Sequence, residues 1–141
     1  MLRKPLMEKP LVLIVEDDHD TQALMQLMLR KKYDVVVASS GLEARAELDA
    51  HPGMIRLILM DLRLKGLEGG VELTRYIRTR DLGGRVPIIA ATACATPEDE
   101  ARAREAGCDD FIAKPFYPRH LLRVVEHYLP SEESVDVRKS S

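Results

Sequence analysis

Three carboxylates carry the most telling chemistry in this chain. Glu16 and Asp17 follow directly on the apolar run Leu11-Val12-Leu13-Ile14-Val15, and Asp61 follows directly on Ile55-Arg56-Leu57-Ile58-Leu59-Met60. Nearly continuous apolar runs of this length read as strands buried on both faces, the kind found in parallel sheets. Parallel strands present their C-terminal ends at one edge, so two such strands side by side would gather Glu16, Asp17 and Asp61 in one crevice. Crowded carboxylates repel one another and need protons or a cation. A hard, oxygen-loving ion such as Mg2+ suits that donor set. With a metal beside it, Asp61 could attack a phosphoryl group and form an acyl phosphate, a reaction that asks mainly for positioning and neutralised oxygen charge. Asp17 and Asp61 would hold the metal, and Glu16 would act through a water. Lys114 offers a mobile cation for another phosphoryl oxygen. Thr92 offers a hydroxyl donor, and Ala93 beside it is small enough to leave the site open.

Those residues need a scaffold that brings strand ends together. After a leader over residues 1–10, strands are expected at Leu11–Val15, Val35–Ala38, Ile55–Met60, Val86–Ala91 and Phe111–Ala113. Helices are expected between them. The first runs from about Asp20 to Lys31, with Leu24, Leu27 and Met28 as its apolar stripe and Asp18 or Asp20 as its cap. The second spans Leu42–Ala50, with Ala44 and Leu48 one turn apart, and the third Val71–Arg78. The fourth opens on Thr96-Pro97, an N-cap followed by proline at N1, and closes at Gly107. The last spans His120–Leu129, and a polar tail, expected to be disordered, fills 130–141. Five alternating βα units imply an α/β doubly wound parallel sheet with right-handed crossovers and helices on both faces. Ligands of such sheets bind beyond the carboxyl ends of the strands. Glu16, Asp17, Asp61, Thr92 and Lys114 all fall there.

The composition sets outer limits. A chain of 141 residues with 45% hydrophobic content suits one compact domain. A net charge of −2 provides no overall basic field for nucleic acid. No apolar stretch approaches the roughly 20 residues that span a bilayer, and the start has no signal-peptide pattern. The expected location is the cytoplasm. Cys94 and Cys108 match no metal spacing and read as small core or loop residues. His19, His51, His120 and His127 read as surface or helix-end residues.

Four segments, in order and on the right elements, carry a resemblance: Leu13-Ile14-Val15-Glu16-Asp17-Asp18, Met60-Asp61-Leu62-Arg63-Leu64, Ala91-Thr92-Ala93 and Phe111-Ile112-Ala113-Lys114-Pro115-Phe116. Over about residues 10–129 the chain resembles the receiver domain of two-component response regulators. The resemblance implies a flavodoxin-like (βα)5 sheet of order 2-1-3-4-5 over residues 11–129. It implies that Asp61 is the phosphoacceptor and Glu16 and Asp17 the acidic pair. Mg2+ ligation by Asp17, Asp61 and the Arg63 backbone carbonyl is implied as well, with Thr92 and Phe111 as the switch pair and a cis Lys114–Pro115 peptide. The loop after Asp61 departs from the family pattern. Lys65 stands where a proline is usual, and the usual Asp-Gly takes the form Glu68-Gly69-Gly70 with one extra residue. Arg63 lies beside the route of an attacking water, where a bulky cation would alter autodephosphorylation.

The expected function is therefore a stand-alone receiver without an output domain. It would take its phosphoryl group from a histidine kinase or phosphotransfer protein. It would signal to an effector through the face of helix four, strand five and helix five, as a monomer or weak homodimer. Three alternatives remain open: a receiver-like binding module that is not phosphorylated, a Mg2+-dependent phosphohydrolase with Asp61 as nucleophile, and a fragment of a longer regulator. The second is disfavoured by Arg63, which occupies the place where such enzymes usually carry a general acid. Helix four has only alanines, Ala101, Ala103 and Ala106, as apolar residues between Pro97 and Gly107. Alanine buries little area, so this helix is expected to be held weakly and to shift on activation.

Overall fold

The computed structural model describes residues 9–64, 66, 69–93 and 96–130. Strands and helices alternate along the chain: β1 (Leu11–Val15), α1 (His19–Leu29), β2 (Asp34–Ala38), α2 (Gly41–Ala50), β3 (Ile55–Met60), α3 (Gly70–Arg78), β4 (Ile88–Thr92), α4 (Pro97–Ala106), β5 (Asp110–Ala113) and α5 (Pro118–Tyr128). The five strands form one parallel sheet in the order β2-β1-β3-β4-β5.

The near-continuous apolar runs have a simple cause: both sheet faces are covered. Leu13, Val15, Ile58, Met60, Ile88 and Ala90 face a core closed by Ala44 and Leu48 of α2, Leu73 and Ile77 of α3, and Ala103 of α4. Val12, Ile14, Leu57, Leu59, Ile89 and Ala91 face the opposite core, closed by Met25 and Leu29 of α1 and Leu121 and Val125 of α5. Successive strand residues point to opposite faces, so a run must be apolar at every position to serve both cores.

The helix ends follow the sequence closely. The Asp18 carboxylate accepts from Thr21 N at 2.9 Å and caps α1, and the Ser40 hydroxyl accepts from Glu43 N at 3.1 Å and caps α2. Thr96 and Asp99 form a reciprocal capping box on α4 with Pro97 in the first turn. Gly107 ends that helix at φ +121°, in the left-handed region, and a Cβ there would meet Arg78 Cγ at 2.6 Å. Arg78 uses the space, donating to Gly107 O at 2.9 Å, Val86 O at 2.7 Å and Asp109 Oδ2 at 2.8 Å.

Three expectations are corrected. Of the stripe Leu24, Leu27, Met28, only Met28 packs against the core: Leu24 and Leu27 are 47% and 57% exposed, and the helix buries Gln22, Met25 and Leu29. The true stripe begins on a glutamine, which hides it from an apolar count. β4 starts at Ile88 and reaches Thr92. α5 starts two residues earlier than expected, on Pro118, whose fixed φ suits a first helical position. The leader to residue 8, the tail from 131, Lys65, Glu68 and Cys94 lie outside the described residues.

Cys108 is buried against α3, 4.0 Å from the Thr74 hydroxyl, and burial pushes its thiol up to about 11. Thiolate is the reactive form. In a Cys94→Ser background, alkylation of the folded protein at pH 8 should therefore run at least about 100-fold slower than in urea, since an ordinary thiol titrates near 8.5. The measurement is the time course of adduct formation by mass.

Candidate functional site

The sheet register assembles the site. Val15 pairs with both Ala38 and Met60, so the residues that follow β1 and β3 emerge side by side. Glu16 N donates to Ala38 O at 2.9 Å and Asp61 N donates to Val15 O at 3.0 Å, which fixes both backbones at the strand tips. On the other side, Thr92 pairs with Ala113, and Lys114 N donates to Thr92 O at 2.9 Å.

Glu16, Asp17 and Asp61 each bring a carboxylate oxygen to within 4.8 Å of the other two. Glu16 is 1% exposed and has a fixed partner at each oxygen. Lys114 Nζ donates to Oε1 at 2.5 Å, and Asp18 N donates to Oε2 at 3.0 Å. Burial still outweighs those two donors and, with the nearby Asp61 charge, holds the Glu16 carboxyl above its ordinary value. Asp61 is also buried. Its Oδ1 accepts from Arg63 N at 2.9 Å, and its Oδ2 lies 3.7 Å from Lys114 Nζ. One lysine thus serves two carboxylates. The Lys114–Pro115 peptide is cis, as the resemblance implied.

The donor set fits a hard divalent cation. It is all oxygen, partly dry and carries three formal negative charges against one lysine. Asp18 lies outside the cluster of three, because its carboxylate is spent on the α1 cap. Thr92 is buried at the tip of β4, its hydroxyl 3.3 Å from Ala93 O. Phe111 is half-buried on β5, opposite Ala90, and packs toward the core beneath α2, α3 and α4.

Two supporting residues escape a sequence reading. Gln22 reaches from the buried face of α1 and donates to Glu16 O at 2.5 Å and to Ser39 Oγ at 2.9 Å, pinning the acidic turn to the loop after β2. Gly70 starts α3 directly against the Asp61–Leu62 peptide; a Cβ there would lie 2.2 Å from Asp61 O. A glutamine at i, i+3, i+7 with Met25 and Leu29 was a visible signal for the first. Nothing in the sequence separates Gly70 from Gly69 or Gly66.

The response regulator receiver domain model matches residues 12–126, which include every member of this site. The chain belongs to the response regulator receiver family. This receiver is 33% identical over 120 residues to the polar-differentiation response regulator DivK of Brucella ovis, covering 84% of this chain and 94% of that one. Among solved structures it is similar to the receiver domain of a Pseudomonas aeruginosa sensor histidine kinase, at 36% identity and TM-score 0.77, covering 87% and 99% of the two chains. That structure holds a magnesium ion in its active site cleft. A putative response regulator from Chloroflexus aurantiacus superposes with TM-score 0.79 at 31% identity, covering 86% and 98%. The Vibrio cholerae chemotaxis protein CheY4, at 24% identity and TM-score 0.79, shares the fold. The acidic cluster is compatible with Mg2+ and with phosphorylation in a receiver. Among the described residues, no helix is long and apolar enough to cross a membrane.

Proposed function

We propose that this receiver is a switch that accepts a phosphoryl group on Asp61 from a histidine kinase or phosphotransfer protein and is not a turnover enzyme. The supporting observation is the setting of the Asp61 carboxylate. It is buried, oriented by Arg63 N–H at 2.9 Å, and placed between an acidic pair and Lys114. An Asp61 oxygen attacks phosphorus, a P–O bond to the aspartate forms, and the bond to the donor breaks with its electron pair leaving on the donor. Asp17, Asp61 and the Arg63 carbonyl would hold Mg2+, with Glu16 acting through a water. The ion supplies charge that offsets the phosphoryl oxygens. Lys114 swings from its shared position between Glu16 and Asp61 to a phosphoryl oxygen. Thr92 donates its hydroxyl to another, and Phe111 moves into the space that this leaves.

The charge change then biases a two-state surface over α4, β5 and α5 that an effector protein reads. Tyr117, 80% exposed at the start of α5, belongs to that surface. Hydrolytic turnover is disfavoured, because position 63 carries an arginine where a phosphohydrolase would need an acid.

The test is intact-mass spectrometry after incubation with acetyl phosphate. The wild type should gain one phosphoryl group with Mg2+, and none should form without Mg2+ or on Asp61→Asn. An adduct that survives Asp61→Asn would refute the assignment. A wild type that gains none, even from a histidine kinase, would favour the binding-module reading.

A further inference from the structure

Arg63 joins the phosphoacceptor loop to the start of α4. Its backbone N–H donates to Asp61 Oδ1 at 2.9 Å, which places its Cα beside the reacting carboxylate. Its guanidinium turns away, and Nη2 reaches Asp99 Oδ2 at 3.3 Å. Asp99 is the acidic half of the α4 capping box, and the same Oδ2 accepts from Thr96 N at 3.4 Å. One carboxylate oxygen therefore holds both the cap of α4 and the cation of the site loop. Leu62, Val71 and Arg102 complete an open groove around this pair, which leaves the guanidinium room to move.

From this geometry we infer that Arg63 is a second cation for the phosphoryl group on Asp61, kept on Asp99 in the resting protein and exchanged from Asp99 to phosphate on activation. The inference rests on the phosphoacceptor reading above. Lys114 already serves Glu16 and Asp61, and phosphorylation turns the Asp61 carboxylate into an acyl phosphate of about −2, so beyond the metal and Lys114 a second side-chain cation has charge to meet. Arg63 is the neighbouring cation whose present partner is easily outbid. The pair is long, and the Arg63 side chain is 58% exposed, a setting in which an ion pair biases an equilibrium only about two- to five-fold. A phosphoryl group offers more charge and three acceptor oxygens in a geometry that suits a guanidinium fork.

Losing this tie matters to α4 in particular. The helix enters the core through Ala103 and Ala106 alone. Little apolar area holds its N-terminal turn, so a small electrostatic restraint is a large share of the total. The exchange connects chemistry at Asp61 to the first turn of α4 by one side chain, without passing through Thr92 or Phe111.

Amide hydrogen exchange at Asp99 and Glu100, read by NMR, tests both halves. In the resting protein, Arg63→Gln and Asp99→Asn should each speed exchange there about two- to five-fold. Asparagine keeps an acceptor for the cap, and the double variant should be no faster than either single one. With acetyl phosphate and Mg2+, the wild type should rise at least to the resting rate of Arg63→Gln, and the further rise in Arg63→Gln should be smaller than that of the wild type. The 31P resonance of the aspartyl phosphate should shift in Arg63→Gln and stay in place in Asp99→Asn. An unshifted 31P resonance in Arg63→Gln, or an α4 response that persists undiminished there, overturns the exchange while the mass adduct on Asp61 keeps the phosphoacceptor reading. Absence of the wild-type adduct with acetyl phosphate and with a histidine kinase removes that reading and the exchange with it, and resting rates unchanged by either variant overturn the tie itself.

Discussion

Lys114→Met is expected to cost the metal-free receiver up to about 3 kcal/mol at neutral pH, the low end of the loss when one partner of a buried ion pair is removed, because the lysine side chain is 18% exposed. The lysine bonds Glu16 at 2.5 Å and stands 3.7 Å from Asp61. Methionine keeps most of the stem and removes the charge, leaving three carboxylates within 4.8 Å of one another with no lysine among them. The pH dependence has a definite sign. Burial already holds the Glu16 carboxyl above its ordinary value of 4.5, against the lowering effects of Lys114 and Asp18 N–H. A carboxyl raised in the folded state binds a proton that the unfolded chain does not, so its contribution to stability falls as pH rises through the raised value. That contribution is recovered on acidification toward the ordinary value. Removing Lys114 takes away a lowering influence and extends this window upward. The deficit of the variant should therefore be largest near pH 8 and shrink toward pH 5. Added Mg2+ should shrink it at pH 8 as well, because an ion that binds only the folded state stabilises it. Urea midpoints at three pH values, with and without Mg2+, measure all of this. A deficit independent of both pH and Mg2+ would assign the loss to packing of the lysine stem.

The meeting of Glu16, Asp17 and Asp61 was legible because acids terminate apolar runs. Val15 before Glu16 and Met60 before Asp61 mark strand ends, and in a parallel sheet strand ends share an edge whatever the loops do. Sheet order and the cis Lys114–Pro115 peptide came from the family resemblance, and both hold. Periodicity failed where a polar residue belongs to the buried face. Gln22 is buried because its amide holds Glu16 O and Ser39 Oγ, so the α1 stripe was read one step out of phase and Leu24 and Leu27 were placed inward. Long-range pairings were invisible for a different reason. Arg63 and Asp99 are 36 residues apart, and their meeting depends on how α4 docks rather than on any local pattern. The alanine-only inner face of α4, by contrast, was plain in the sequence, and the helix does bury only Ala103 and Ala106.

Gly70→Ala should be among the most damaging single-methyl changes in the receiver, at about 3 kcal/mol or more, the upper end for overpacking. The added Cβ would lie 2.2 Å from Asp61 O, 2.6 Å from Leu62 Cα and 2.9 Å from Asp61 C. All three are backbone atoms at the tip of the central strand, so no side-chain rotation relieves them. α3 must retreat or the Asp61–Leu62 peptide must turn. Retreat uncovers Val71, Leu73 and Ile77, which α3 buries. A turned peptide changes the aim of the Asp61 carboxylate and of the Arg63 N–H that orients it at 2.9 Å. Gly69→Ala is the control. A Cβ there would meet only Glu72 Oε1 at 2.9 Å, the far end of a flexible side chain, and φ is −80°. Its cost should stay below about 1 kcal/mol, mostly from a poorer N-cap. Urea midpoints rank the two, and phosphoryl uptake from acetyl phosphate separates the two ways of relaxing. A destabilised Gly70→Ala protein that still takes up phosphate at the wild-type rate means that α3 gave way. One that folds but takes up phosphate at least tenfold more slowly means that the peptide turned. The second outcome would show that close approach of α3 to the β3 tip sets the aim of Asp61, since neither glycine carries a group that could touch the phosphate.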